Sequence, residues 1–409
     1  MRRPRTFLGA VPERPVPVRV AERVPNPARH ATWLELFFDL VFVVAVSSLG
    51  RLLLSDHSPG GVLVFLGLFV PVWWAWIGIS YFVDQFELPE LWLRGLMLSQ
   101  LALALGLALG LEPLVEGRGA LFVASYLAMR LTLTGLYVWA WRRVPGAETL
   151  NAKYALAFTL GTGLWLVSLL LDPPARYVLW GAALALEIAG TVWAYVSTRD
   201  LPRQVSHMPE RFGLFTIIVL GESVLAVATG GSHIEGTGGW VVALCGVLLA
   251  FFVWWLYFDY ADEEVIDRAI RGGRRALSLS FVYGYTHLPV FAGIVAASIG
   301  LELFFEEVTH DGVGAGARLL LCGGLALFLC ALSVVQAAAP RGLPGPVWLA
   351  RGATAGLIAL LGVLGGGWSA AGLLVGVTLA LGLLLVFEAR FRPAGVQEPP
   401  LEGDGTGGP

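Results

Sequence analysis

The residues in this chain best placed to do chemistry are ionisable side chains set deep in apolar runs: Arg130, Glu187, Glu222 and His287. A charge at the centre of a bilayer costs about 2.5 to 3.5 kcal/mol on insertion scales, so such residues usually face protein or a wet cavity. Each stands roughly ten residues, about 15 Å of helix, from the end of its run. The four are therefore expected to meet near the midplane as an ion, proton or substrate site. Glu222 follows Gly221, which would allow close backbone approach beside an unpaired acid, as a proton or cation site needs. The competing reading is a bridge from Arg130 to Glu187 or Glu222 that only locks the bundle. His287, flanked by Tyr283, Tyr285 and Pro289, suits either a proton relay or a hydrogen-bonded core histidine.

Nearer the start, Glu35 and Asp39 stand four apart, on one helical face. Two ionised carboxylates there need a cation between them, and Arg94 falls at a similar depth. A structural ion pair of Asp39 with Arg94 is expected, with Glu35 at the interface. Other chemistry is poorly provided for. Cys245, Cys322 and Cys330 all lie in apolar runs without a CxxC pair or a Cys/His cluster, and read as packing residues. With Lys153 as its single lysine the chain has no GxxxxGK[ST] loop, and it has no HExxH motif. Gly312-x-Gly314-x-Gly316 follows no strand and reads as an external turn. No catalytic residue, metal site or cofactor is expected, and an enzyme is the less favoured class.

The elements that must position these residues are helices in a membrane. Apolar residues make up 56% of the 409 and charged residues 14%, with mean hydropathy +0.73, where a soluble domain carries about 25% charge. Twelve apolar runs of spanning length follow, from 33–54 and 61–83 through 154–171 to 347–364 and 369–390. The division at Gly365-Gly366-Gly367 is the thinnest. The expected fold is all-α: a polytopic membrane helix bundle of about twelve spans. No basic footprint for nucleic acid is present. The expected partners are the bilayer and a small solute or cation, with homo-oligomerisation left open. Gly106-x-x-x-Gly110 and Gly372-x-x-x-Gly376 read as helix-packing faces. Trp33, Tyr81, Trp139, Trp141, Trp180 and Trp240 read as interfacial belts.

An internal duplication organises the runs. Val72-Trp73-Trp74 recurs as Val253-Trp254-Trp255, and at the same offset of 181 residues Arg94-x-Leu96-x-Leu98-Ser99 recurs as Arg275-x-Leu277-x-Leu279-Ser280. Six-helix units repeated in parallel place substrate sites near the midplane. The expected organisation is a basic cytoplasmic tail at 1–32, one six-helix repeat at 33–200, a second at 201–392, and a disordered Gly/Pro-rich tail at 393–409.

The segment Thr32-Trp33-Leu34-Glu35-Leu36-Phe37-Phe38-Asp39-Leu40-Val41-Phe42-Val43, with Glu210-Arg211-Phe212-Gly213-Leu214-Phe215-Thr216-Ile217-Ile218-Val219-Leu220-Gly221-Glu222-Ser223, resembles the bacterial low temperature requirement protein A family. The resemblance extends through His287-Leu288-Pro289, covering roughly residues 30–300 and leaving the last three spans without a recognised motif. It implies a multi-pass inner-membrane protein and no established activity. Phe37-Phe38-Asp39-x-Val41-Phe42-x-x-Ala45 is also similar to the signature opening the six-helix repeat of lysosomal-type potassium channels, with Phe38 where that signature has Ser. Major facilitator transporters share the 6+6 arrangement, but Asp84-Gln85-Phe86-Glu87-Leu88-Pro89-Glu90 lacks their loop motif. The functional expectation is a transporter or ion-conducting protein. A lipid-directed membrane enzyme or a non-transporting sensor or assembly factor are the alternatives.

Cationic loops stay cytoplasmic. With the N-terminus inside, twenty of the twenty-four loop and tail cations fall on the cytoplasmic side, which places both termini there. Reporter fusions at His57, Ile234 and His310 should therefore behave as external and one at Gly272 as cytoplasmic. External labelling at Gly272 would overturn this topology.

Overall fold

The computed structural model describes residues 32–198, 207–230, 236–259, 274–308, 312–338 and 343–391, with the backbone of Arg19–Val20. Of the expected features, most of the basic tail, most of the 260–275 loop, its repeated Arg275 side chain and the C-terminal tail lie outside the described residues.

Twelve helices fill the described chain. They are α1 (Trp33–Ser55), α2 (Pro59–Gln85), α3 (Glu90–Val115), α4 (Ala120–Arg143), α5 (Glu148–Ser168), α6 (Ala175–Val196), α7 (Met208–Gly230), α8 (Gly236–Phe258) and α9 (Arg274–Glu306), followed by α10 (Ala315–Ala338), α11 (Gly345–Leu364) and α12 (Ala370–Glu388). The one sheet among the described residues is a two-residue ladder, Arg19–Val20 antiparallel to Phe86–Glu87. Without water in the hydrocarbon, helices satisfy their own backbone groups, so an apolar chain of this composition folds as a bundle.

The ends follow local chemistry. Thr32 and Glu35 form a reciprocal capping box on α1: the Thr32 N–H donates to Glu35 Oε2 at 2.7 Å, and the Glu35 N–H donates to Thr32 Oγ1 at 3.3 Å. Glu35 is thus committed to its own helix start. Pro89 and Pro344 precede α3 and α11. Gly117, at φ +83°, makes the left-handed turn between α3 and α4 that a side chain would strain. Leu364 ends α11, a single turn over Gly365–Gly367 follows, and Ser369 caps α12 by accepting from the Gly372 N–H. The thin division expected there is real.

Eleven helices are long and apolar enough to cross a membrane; α5 is the exception, its first turns carrying Glu148, Asn151 and Lys153. It nonetheless lies lengthwise against α4 and α6. Tyr126 meets Trp165, Tyr137 meets Tyr154, and Lys153 Nζ donates to Ser197 Oγ at 2.7 Å. Polarity at its start is thus answered by the end of α6. Arg211, one of the twenty cations counted on the cytoplasmic side, lies inside α7 and is buried.

Two compact units divide the chain. The first comprises residues 1–42 and 71–208, the second 43–70 and 209–409, so α1 and α2 each contribute to both. In the first, α4 packs on α3 and α5, and α5 on α6. Gly106 and Gly110 do the packing expected of them: a Cβ on either would strike Ser125 or the Phe122 backbone of α4. The second unit is built on α9, 78% buried over its most apolar stretch, which packs most extensively on α10. Gly293, Gly300 and Gly324 bring these two backbones together, since a Cβ at Gly293 would sit 2.7 Å from the Gly324 carbonyl oxygen. Gly372 and Gly376 are different. Their Cβ positions meet nothing closer than 3.1 Å, so they make no tight helix seam.

Overpacking a tight contact costs about 1–3 kcal/mol. Gly300→Val, which pushes a side chain into the Leu321 backbone, should lower the melting temperature in detergent by several degrees. Gly352→Ala, on an open face of α11, should leave it unchanged. Equal melting of the two variants would remove the glycine contact from the account.

Candidate functional site

Of the four residues expected to converge, Arg130 and Glu187 belong to the first unit, and Glu222 and His287 to the second. Arg130 and Glu187 sit near the middle of α4 and α6, on the buried stripes Phe122-Tyr126-Arg130-Leu133-Tyr137 and Trp180-Ala183-Glu187-Thr191-Ala194. Arg130 Nη2 approaches Glu187 Oε2 to 2.6 Å, with both side chains essentially inaccessible to solvent. Trp74 on α2 donates its indole N–H to the same oxygen at 2.7 Å. The guanidinium lies over the rings of Phe158 and Trp74, at 5.0 and 5.9 Å. Two glycines make room for the pair. A Cβ at Gly161 would collide with the Glu187 side chain, and one at Gly78 would come 3.3 Å from Arg130 Nη1.

This pair is underbonded. The approach of Nη2 is off the hydrogen-bonding direction, and neither Nη2 nor Nε of Arg130 has a hydrogen-bond partner; nor does Glu187 Oε1. Tyr126 Oη, Trp165 Nε1 and both amide atoms of Gln100 are also buried without partners. Tyr126 lies one helical turn from Arg130, and its ring meets Trp165 at 4.3 Å, with Trp180 stacked beyond at 4.6 Å. The approach of Gly106 to Ser125 sets α3 against α4 so that Gln100 is about level with Arg130. Buried polar groups are normally bonded, each orphan costing about 1–3 kcal/mol, so a cluster of them is a place where water or a ligand supplies partners. Trp180, read as an interfacial residue, is instead part of this core, its indole bonded to Ser168 Oγ at 2.9 Å.

In the second unit Glu222, half-buried on α7, accepts a hydrogen bond from the Ser47 hydroxyl on α1. Gly221 beside it opens on space with no described atom within 4 Å, so the close approach expected there is not made. Ser223 and Ser298 share a hydrogen bond of 2.7 Å at the wall of a cavity of about 20 Å³, room for one water molecule. That cavity is otherwise apolar and is bounded in part by Leu321, in a π-helical turn at Leu319–Gly323.

His287 forms a separate set. Its Nδ1 faces the Tyr283 carbonyl oxygen at 2.7 Å and so carries the proton, leaving Nε2 to accept from Tyr257 Oη at 2.9 Å. Phe212 stacks on the ring at 4.1 Å. Both nitrogens are engaged. Within the second unit the structure does not bring His287 to Glu222 by any bond, because one faces α8 and the other α1.

The expected Asp39 to Arg94 pair does not form. Arg94 is 67% exposed and meets Glu90, four residues back on its own helix, at 2.5 Å. Asp39 is buried and accepts the Trp76 indole N–H at 2.7 Å. Similar depth did not imply the same azimuth, and Arg94 falls on the outer face of α3. Sequence reasoning also missed a second buried pair. Arg351 on α11 bonds both carboxylate oxygens of Glu388 at 2.7 Å and Gln336 Oε1 at 2.5 Å. Gln336 Nε2 in turn donates to the Leu256 carbonyl oxygen at the end of α8. Arg351 stands only four residues into the 347–364 run and Glu388 two from the end of 369–390, so neither met the depth criterion that singled out Arg130.

The comparisons with known proteins bear on all twelve helices. Residues 30–387 match the family model described as Bacterial low temperature requirement A protein (LtrA). The chain belongs to this family. The match takes in the last three helices, beyond the stretch whose motifs carry the resemblance. An uncharacterised protein of Rhizobium meliloti (strain 1021) is 29% identical over 328 residues, covering 77% of this chain and 79% of that protein. Family membership and the apolar helices make this a multi-pass membrane protein.

The Arg351 pair is a lock, and removing one partner of such a pair costs about 3–5 kcal/mol. Arg351→Gln should cut folded yield and melting temperature sharply, and Arg351→Gln with Glu388→Gln should recover most of both. A double variant no better than the single would show that the charges are not each other's reason for being buried.

Proposed function

We propose that the chain is a transporter or ion-conducting protein of the bacterial inner membrane that uses ionisable residues inside its helices. Arg130 and Glu187 form the central site of the first unit. Glu222, with Ser47, serves as a proton or cation site in the second, and His287 is its supporting group. The observation that carries this reading is the contrast between two buried Arg–Glu pairs in one molecule. Arg351 and Glu388 are bidentate and supported by Gln336, and none of their buried atoms lacks a partner. Arg130 and Glu187 leave Nε, Nη2 and Oε1 without hydrogen-bond partners, and Tyr126, Trp165 and Gln100 of the same unit carry further orphaned atoms. A pair kept only for structure would be bonded as the first is.

The helix order supports the duplicated architecture behind this reading. In the first unit α3 packs on α4, α4 on α5 and α5 on α6; in the second α9 packs on α10, α10 on α11 and α11 on α12. Such repeats accompany alternating access around buried sites. Cytoplasmic termini follow from the cation distribution.

The test compares two charge-neutral variants in proteoliposomes, with radiolabelled rubidium, radiolabelled chloride and an enclosed pH dye as probes. Arg130→Gln with Glu187→Gln should abolish protein-dependent flux while the melting temperature stays within a few degrees of wild type. Arg351→Gln with Glu388→Gln should retain flux in its folded fraction. Glu222→Gln, which keeps the acceptor for Ser47, should lower proton or rubidium flux at least tenfold. Wild-type vesicles that behave as empty ones with every probe would overturn the reading.

A further inference from the structure

Two properties of the first unit's site bear on what it holds. The Arg130 and Glu187 pair is electrically neutral as it stands, and it lies mid-helix, where added net charge is expensive. The unpartnered groups around it are weighted toward donors. Arg130 Nε and Trp165 Nε1 only donate, Tyr126 Oη can donate or accept, Gln100 offers one group of each kind, and Glu187 adds a single open oxygen. A bare cation would meet the guanidinium and an indole N–H. A bare anion would meet donors and one opposing carboxylate.

Building on the transport reading above, we propose that this site takes a small monovalent anion together with a proton, the anion on Arg130 and the proton on Glu187. Before binding, the Arg130 guanidinium is balanced by the Glu187 carboxylate. After binding, the anion balances the guanidinium and Glu187 is a neutral carboxylic acid. The charge sum is zero in both states, and the only bond formed is the O–H of that acid. Arg130 Nε, the Tyr126 hydroxyl and the Trp165 indole are the donors that complete the anion's shell. The Trp74 N–H at Oε2 leaves Oε1, the open oxygen, to carry the proton. Aromatic walls keep water from competing: Phe158 and Trp74 under the guanidinium, Trp165 and Trp180 beyond Tyr126.

The groups facing Glu187 are few. From α4 come Arg130 and Tyr126, from α2 Trp74, and from α5 Gly161, with Trp165 one turn on. Among the described residues of this unit, Arg130 is the charged group that faces Glu187, and Tyr126 is the other titratable group in range. Lys153 sits with Ser197, ten residues along α6 and about 15 Å away.

The experiment uses wild-type proteoliposomes enclosing an impermeant pH dye, with inward gradients of chloride, nitrate or dihydrogen phosphate and no imposed voltage. At least one of these anions should acidify the lumen in a protein-dependent way. Glu187→Gln should reduce that acidification at least tenfold. The same variant should still take up the radiolabelled anion, now accelerated by potassium and valinomycin because the movement has become electrogenic. Proton or rubidium flux that ignores all three anions would overturn the proposal and leave the transport reading standing. Vesicles with no protein-dependent flux would overturn both. Should Glu187→Gln not fold, the anion dependence of wild-type acidification decides by itself.

Discussion

A charge in the middle of an apolar helix has to be answered by another side chain, because the hydrocarbon offers neither water nor counter-ions. Among the described residues two buried Arg–Glu pairs, one mid-helix and one near helix ends, meet that constraint in two ways. At Arg351 and Glu388 the guanidinium is used as a planar fork, both oxygens are filled, and Gln336 carries the network to the end of α8. At Arg130 and Glu187 the charges are paired, and hydrogen-bonding capacity is left over. The first arrangement has no reason to change, whereas the second has donors and an acceptor in reserve. Electrostatics in a low dielectric makes that reserve valuable, since each bond formed there is stronger than in water and each bond missing is dearer.

Packing decides which of the two arrangements is built. Around Arg130 the walls are aromatic, and the missing side chains of Gly78 and Gly161 leave room for the pair. Ring faces are large, rigid and without hydrogen-bonding capacity, so apart from the Trp74 N–H on Glu187 they enclose the charges without bonding them. In the second unit, glycines at 293, 300 and 324 bring α9 and α10 to backbone contact, and the π-helical turn at the start of α10 borders the small cavity by Ser223 and Ser298. Such turns interrupt the regular ladder and recur at functional sites. His287 differs: Phe212 stacks on it and both its nitrogens are engaged.

Much of this was legible in the sequence. Run lengths and composition determined an all-α membrane bundle, and the Gly365–Gly367 break was placed correctly because glycine cannot sustain a helix cheaply. The family was recognisable from the α1 and α7 segments. Depth along a helix was also readable, which is why Arg130 and Glu187 were singled out. The small-residue pattern at Gly106 and Gly110 pointed to a real seam, yet the same pattern at Gly372 and Gly376 did not.

What only the tertiary structure decided is azimuth and partnership. Asp39 and Arg94 share a depth, but one faces Trp76 in the core and the other faces outward to Glu90. Trp180 could have sat in the interface; the stripe it shares with Glu187 turns it inward, where it stacks on Trp165. Periodicity in one helix fixes which residues share a face, and it carries no information on which neighbouring helix that face will meet. In a soluble protein the polar side of a helix would reveal the outward direction. Here both lipid and core are apolar, so the sequence determines the helices and the depth of each charge, and packing alone chooses its partner.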